Sequence, residues 1–79
     1  MSTPDTSLVS ATKKVCRVLA SLSNRRVQRL TDIAQAAQLD VSTALRILKD
    51  LEAEGFVERD PVSKHYMLGP QVYAMHHAM

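Results

Sequence analysis

Ser42, Thr43, Arg46 and Lys49 fall in one short stretch, Val41-Ser42-Thr43-Ala44-Leu45-Arg46-Ile47-Leu48-Lys49, and carry its polar chemistry. At about 100° per residue with Ala44 at zero, Ile47, Leu48 and Leu51 lie within about 60° of it, while Ser42, Arg46, Lys49 and Ala53 lie within about 40° of the opposite pole. One face of such a helix packs; the other is short, polar and basic. A guanidinium there can bond both O6 and N7 of a guanine or clamp a phosphate, the plain alternative being a solvated surface arginine. The hydroxyls of Ser42 and Thr43 in the first turn suit either phosphate contact or simple capping, and the two uses coexist. Leu45 stands at the flank, where it is either an apolar contact for a thymine methyl or a boundary residue covering the preceding helix.

The remaining cations extend this chemistry. The formal charge is only +2, but it is segregated: Lys13 to Lys49 holds eight basic residues against Asp32 and Asp40, and Asp50 to Asp60 holds five acids against Arg59. A polyanion would meet the first stretch and be repelled by the second. Arg25, Arg26, Arg29, Lys49, Arg59 and Lys64, with Thr31 at a helix start, are the candidate phosphate contacts, and each could equally be solvated. His65, His76, His77 and Cys16 form no metal-ligand spacing, so no metal and no cofactor is expected. No nucleophile and base pattern, glycine-rich phosphate loop or paired carboxylate motif appears, which argues against an enzyme.

These side chains need a scaffold that 79 residues can build. The chain, 46% apolar with Phe56, Tyr66 and Tyr73 as its aromatics, holds one small core made mainly of aliphatic side chains. A single cysteine permits no intrachain disulfide, and no apolar run is long enough to cross a bilayer, so a cytoplasmic protein off the membrane is expected. Residues 1–6 are small and polar and read as a disordered lead-in, with one domain over 7–69. Leu8, Ala11, Val15, Val18, Leu19 and Leu22 recur at helical spacing and predict a first helix over about 8–22, capped by Ser7. Ser23 to Arg29 reads as a polar, basic loop. Thr31 then caps a second helix with Asp32 in its first turn and a small apolar set, Ile33, Ala34 and Ala37, with Leu39 plugging the turn that ends it. Asp40 or Ser42 caps the third helix, and Gly55 ends it in a left-handed conformation. Phe56 to Arg59 and His65 to Leu68 predict two strands around the turn Asp60-Pro61-Val62-Ser63-Lys64. Gly69-Pro70 stops the hairpin, and residues 70–79 start a fourth, linker helix.

Helix, helix, short turn, helix and two-stranded wing is the winged helix-turn-helix order, a mainly α fold with a small β-hairpin. Specific residues resemble one family, the IclR-type transcription regulators, from about Ser7 to Pro70. The pieces are Leu30-Thr31-Asp32-Ile33-Ala34, Ser42-Thr43-Ala44-Leu45-Arg46-Ile47-Leu48, Leu51 through Pro61, and Tyr66-Met67-Leu68-Gly69-Pro70. The resemblance implies a homodimeric repressor or activator with the third helix in the major groove of double-stranded DNA and the wing along the flanking backbone. It also implies control by a small effector through a larger C-terminal domain; this chain carries none, and so reads as an excised domain or a short relative. The chain departs from the family at Val41, where a basic or polar residue is usual, at Leu45, where a polar or aromatic one is frequent, and at Gln38, where the turn commonly has glycine.

Two function classes follow. A sequence-specific DNA-binding regulator uses Ser42, Thr43, Leu45 and Arg46 in the groove. A winged helix serving as a protein interaction module would instead carry an apolar or acidic outer face on its third helix. A core this small leaves little room for a small-molecule pocket. On the first helix, Val9, Cys16 and Ala20 form a second apolar strip, and Val72, Tyr73, Met75 and Met79 add apolar surface at the far end. That excess predicts a homodimer through Val9, Cys16, Ala20 and Tyr73, unless the fourth helix folds back and covers the strip.

Overall fold

The structure, a computed structural model, describes residues 9–24 and 26–78. The expected lead-in over 1–6, the Ser7 cap, Leu8, Arg25 and Met79 lie outside the described residues. Four helices and one hairpin follow in order: α1 (Ala11–Asn24), α2 (Leu30–Ala37), α3 (Val41–Ala53), β1 (Val57–Arg59), β2 (Tyr66–Leu68) and α4 (Pro70–Ala78). This is the winged helix-turn-helix fold.

α1 begins later than the apolar spacing predicts. Ser10 is its cap: its Oγ accepts from the Lys13 amide at 3.1 Å and its carbonyl from the Lys14 amide at 3.1 Å. At the other end the helix continues past Leu22 to Asn24, because Ser21 and Leu22 are both buried and the Ser23 hydroxyl bonds the Ala20 carbonyl at 2.7 Å. The buried stripe is therefore centred on Val18 and Leu22, with Val15 and Leu19 half-buried beside it.

Thr31 is not the cap of α2. The helix starts two residues earlier than that cap implies, at Leu30, and Arg29 is the extended N-cap residue without a side-chain cap bond; its guanidinium instead pairs with Asp32 at 3.1 Å. α2 ends in a Schellman turn in which Gln38 is left-handed (φ 59°), its amide bonding Gln35 O and the Leu39 amide bonding Ala34 O. Leu39 then packs on the core and closes the turn. Gly55 (φ 84°) ends α3 the same way, with Gly55 N to Glu52 O and Phe56 N to Leu51 O. The Phe56 amide is thereby withheld from the ladder, to which Phe56 contributes only its carbonyl, accepting from Gly69, and β1 starts at Val57.

The core is built where the three helix stripes meet the hairpin: Val18 and Leu22 of α1, Ile33 and Ala37 of α2, Leu48 of α3, Val57 of β1 and Tyr66 of β2. Ala34 and Ala44 are buried alongside and let α2 and α3 approach closely. The strands pair antiparallel, Val57 with Leu68, Glu58 with Met67 and Arg59 with Tyr66.

A further pairing breaks the expected loop. Gln28 exchanges both backbone hydrogen bonds with Tyr66, at 2.9 and 2.7 Å, and so adds a one-residue third strand to the hairpin. Its side chain is buried; the amide nitrogen donates to the Ser21 carbonyl and Oε1 accepts from the Ser21 hydroxyl at 3.2 Å. One glutamine thus ties the end of α1, the loop and the wing together, which a hairpin of this length needs. Gly69 meets the turn after α3 so closely that an added Cβ would sit 2.5 Å from the Gly55 carbonyl oxygen.

Candidate nucleic-acid interface

Helix α3 presents its two faces as the sequence wheel divides them. Ala44 and Leu48 are fully buried and Ile47 and Leu51 pack on the core, whereas Ser42, Arg46, Lys49 and Ala53 are exposed. A shallow depression along the outer face is lined by Ser42, Leu45, Arg46, Lys49 and Asp50. The helix is stiff at its start because Asp40 is an N-cap whose carboxylate accepts from the Thr43 amide at 3.3 Å, the Thr43 hydroxyl at 2.7 Å and the Ser42 hydroxyl at 2.5 Å. Those hydroxyls, Ser42 first and then Thr43, hold the Asp40 carboxyl well below the ordinary carboxylate range, at about 2.

Beside α3 a second, larger cleft of about 380 Å³ opens between the start of α2 and the wing. Its walls bring together Arg29, Thr31, Leu45, Arg59 and Lys64, with Leu30, Ser63, His65 and Tyr66. These residues come from four separate elements, and the Gln28 to Tyr66 pairing fixes the wing at this distance from α2. Arg59 stacks its guanidinium over the Tyr66 ring, 5.6 Å from the centroid, and donates through Nε to the Lys64 carbonyl at 3.4 Å.

The wing tip is internally ordered. Asp60 bonds the His65 carbonyl through its amide and the Lys64 amide through its carbonyl, and its carboxylate accepts from the Ser63 amide at 2.6 Å. That bond from Ser63, aided by the Ser63 hydroxyl, lowers the Asp60 pKa. Lys64 is left-handed (φ 67°), which throws its side chain out from the turn into the cleft wall.

The structure therefore sorts the sequence-derived residues into two adjoining groups, joined by Leu45. Ser42, Arg46 and Lys49 share the outer face of α3; Arg29, Thr31, Arg59 and Lys64 share the cleft. Arg26 is exposed in the α1–α2 loop and lines neither. Thr43 is half-buried, with its hydroxyl turned to Asp40. Sequence reasoning did not find Gln28, Tyr66 or His65 near the site; the signal for Gln28 was a lone uncharged polar residue among Arg25, Arg26 and Arg29. Val9 is half-buried, and Cys16, Ala20 and Tyr73 are exposed, so α4 does not cover the strip on α1. The amides of Gly69 and Gln71 bond Phe56 O and Gly55 O and so anchor the start of α4 on the turn after α3.

Comparison with known proteins bears on the family and the fold. The family model of the IclR helix-turn-helix domain matches residues 11–61, more than half of the chain. The glycerol operon regulatory protein of Streptomyces griseus is 48% identical over 46 residues, covering 58% of this chain and 18% of that protein. Among solved structures, an IclR transcriptional regulator from Alicyclobacillus acidocaldarius superposes with a TM-score of 0.78 at 38% identity, over 86% of this chain and 28% of its own. HmgR of Pseudomonas aeruginosa gives a TM-score of 0.81 at 25% identity, over 89% of this chain and 29% of its own. The chain thus spans less than a third of the length of each of these relatives.

Proposed function

The chain belongs to the IclR helix-turn-helix family of transcription regulators, and on that premise we propose that it binds double-stranded DNA sequence-specifically, with α3 in the major groove and the wing on the flanking backbone. The observation that carries this reading is the juxtaposition of a polar, basic outer face on α3 with a cation-lined cleft between α2 and the wing. A helix of this diameter fits the major groove, and a phosphate strand bordering that groove would run through the cleft. Arg46 reads a base edge. Arg29, Thr31, Lys49, Arg59 and Lys64, with Arg26 on the adjoining loop and Arg25 next to it in sequence, hold phosphates without choosing sequence. Ser42, Thr43 and Leu45 complete the groove-facing surface.

The working unit is a homodimer in the cytoplasm, paired through Val9, Cys16 and Ala20 of one copy and Tyr73 of α4. Exposure of Cys16, Ala20, Tyr73 and Met75 supports it. Two-fold pairing sets two copies of α3 about 34 Å apart or a multiple of that, so the site is palindromic. The test is a binding selection from random duplexes: enrichment of a two-fold sequence supports the proposal, and recovery of unenriched DNA held by salt-sensitive affinity alone opposes it.

A further inference from the structure

Leu45 is a leucine without a core assignment. Leu30, Leu39, Ile47, Leu51 and Leu68 are half-buried because they pack on the core cluster; Leu45, also half-buried, is not among them. Its apolar surface lies instead where the α3 depression meets the wing cleft, with Ser42 one turn before it in the same depression. A leucine kept at a polar, cation-rimmed surface costs solvation unless something apolar covers it.

The hydroxyl beside it has a fixed polarity. A serine hydroxyl has one proton and two lone pairs. The Ser42 proton is directed to Asp40 Oδ2 at 2.5 Å and the Thr43 proton to Oδ1 at 2.7 Å, so toward the solvent Ser42 offers lone pairs alone. The Asp40 carboxylate behind them also repels a phosphate. This turn therefore suits a hydrogen-bond donor rather than an anion.

Resting on the DNA-binding reading above, we propose that Ser42 and Leu45 together recognise an A·T base pair, Ser42 accepting from the adenine N6 amino group and Leu45 covering the thymine methyl. The two groups lie side by side on the major-groove edge of that pair. A G·C pair offers the cytosine amino group but no methyl, so Leu45 discriminates against it, and Asp40 acts as a positioning residue that keeps Ser42 an acceptor.

The test uses the selected duplex with single replacements at each A·T pair: deoxyuridine for thymidine, which removes the methyl, and 2-aminopurine for adenine, which moves the amino group to the minor groove. At one pair per half-site, deoxyuridine weakens the wild-type chain about fourfold, the worth of one buried methyl-sized group, and 2-aminopurine weakens it about fivefold, the worth of one neutral hydrogen bond. Leu45→Ala abolishes the first effect and keeps the second; Ser42→Ala does the reverse. Thermal melts of both variants establish that they are folded. A duplex bound specifically but indifferent to both replacements overturns this inference alone, as does an unchanged deoxyuridine effect in Leu45→Ala. A selection that enriches no sequence overturns the DNA-binding reading and this one with it.

Discussion

Arg46 is exposed on the outer face of α3 and has no acidic partner among the described residues. Its five donors are free for a guanine edge, so Arg46→Ala is expected to lose discrimination at one base position by about 1–3 kcal/mol. Lys49→Ala and Lys64→Ala are expected to weaken all duplexes alike and to flatten the salt dependence, because a phosphate contact carries no sequence information. Binding isotherms on specific and random duplexes at several salt concentrations separate the two behaviours. Asp40 gives a prediction in pH. Its carboxyl is depressed from 3.8 to about 2 in the folded chain, so the stability it contributes is fully present above the unfolded value and is lost as pH falls from about 4 through about 2. Asp40→Asn keeps a good N-cap, and an acid titration of the thermal midpoint should be flatter in that range for the variant. At this scale the sequence wheel was sufficient for Arg46 and Lys49, since helical phase alone decides which way they face. It was not sufficient for Ser42 and Thr43, whose hydroxyl protons depend on the rotamers they adopt around Asp40.

Among the elements, the loop between α1 and α2 held the largest surprise. Ser23 to Arg29 reads as polar connection, yet Gln28 makes side-chain bonds to Ser21 and backbone bonds to Tyr66. Periodicity cannot reveal a single-residue bridge, which is set by tertiary contact and not by local pattern. Gln28→Ala leaves buried polar groups of Ser21 without partners, and denaturant unfolding should register a loss of about 1–3 kcal/mol. The α2–α3 turn points the other way. Gln38 adopts a left-handed conformation that glycine takes without steric cost, so Gln38→Gly is expected to stabilise the domain by about 1 kcal/mol with the turn unchanged. Gly55, in the same conformation at the end of α3, was legible because glycine at a helix end is itself the signal. In the wing, Val62 is 88% exposed and the tip hydrogen bonds stay within residues 59–65. Deleting Val62 to Lys64 should therefore cost DNA affinity while circular dichroism reports unchanged helix content; a loss of folding would make the tip structural.

For the whole molecule, the order of elements was readable because each helix announces its buried stripe and its stop, and the hairpin its turn. Assembly was less so, since apolar surface beyond one core face indicates a partner without saying which. The exposure of Cys16 and Ala20 removes α4 of the same chain as the cover for that strip. Val9→Glu is accordingly expected to reduce cooperative binding to a palindrome, read as the mass of the species on the duplex, and equal cooperativity in the variant would exclude this interface. The charge pattern belongs to this scale too: the cations gather before residue 50 and at the wing, and Asp50, Glu52, Glu54 and Glu58 are exposed toward the far end of α3 and on β1. This asymmetry orients a polyanion toward the Arg46 and Lys49 face of α3 and the wing cleft, and away from the acidic far end of the helix. The measurement that bears most directly on the central claim is a side-by-side titration of the wild-type chain and Arg46→Ala against a selected duplex and a scrambled one at fixed salt. The wild-type chain should prefer the selected duplex, and Arg46→Ala should lose about fivefold or more of that preference while its binding to scrambled DNA changes little. Equal losses on both duplexes would contradict base readout by α3.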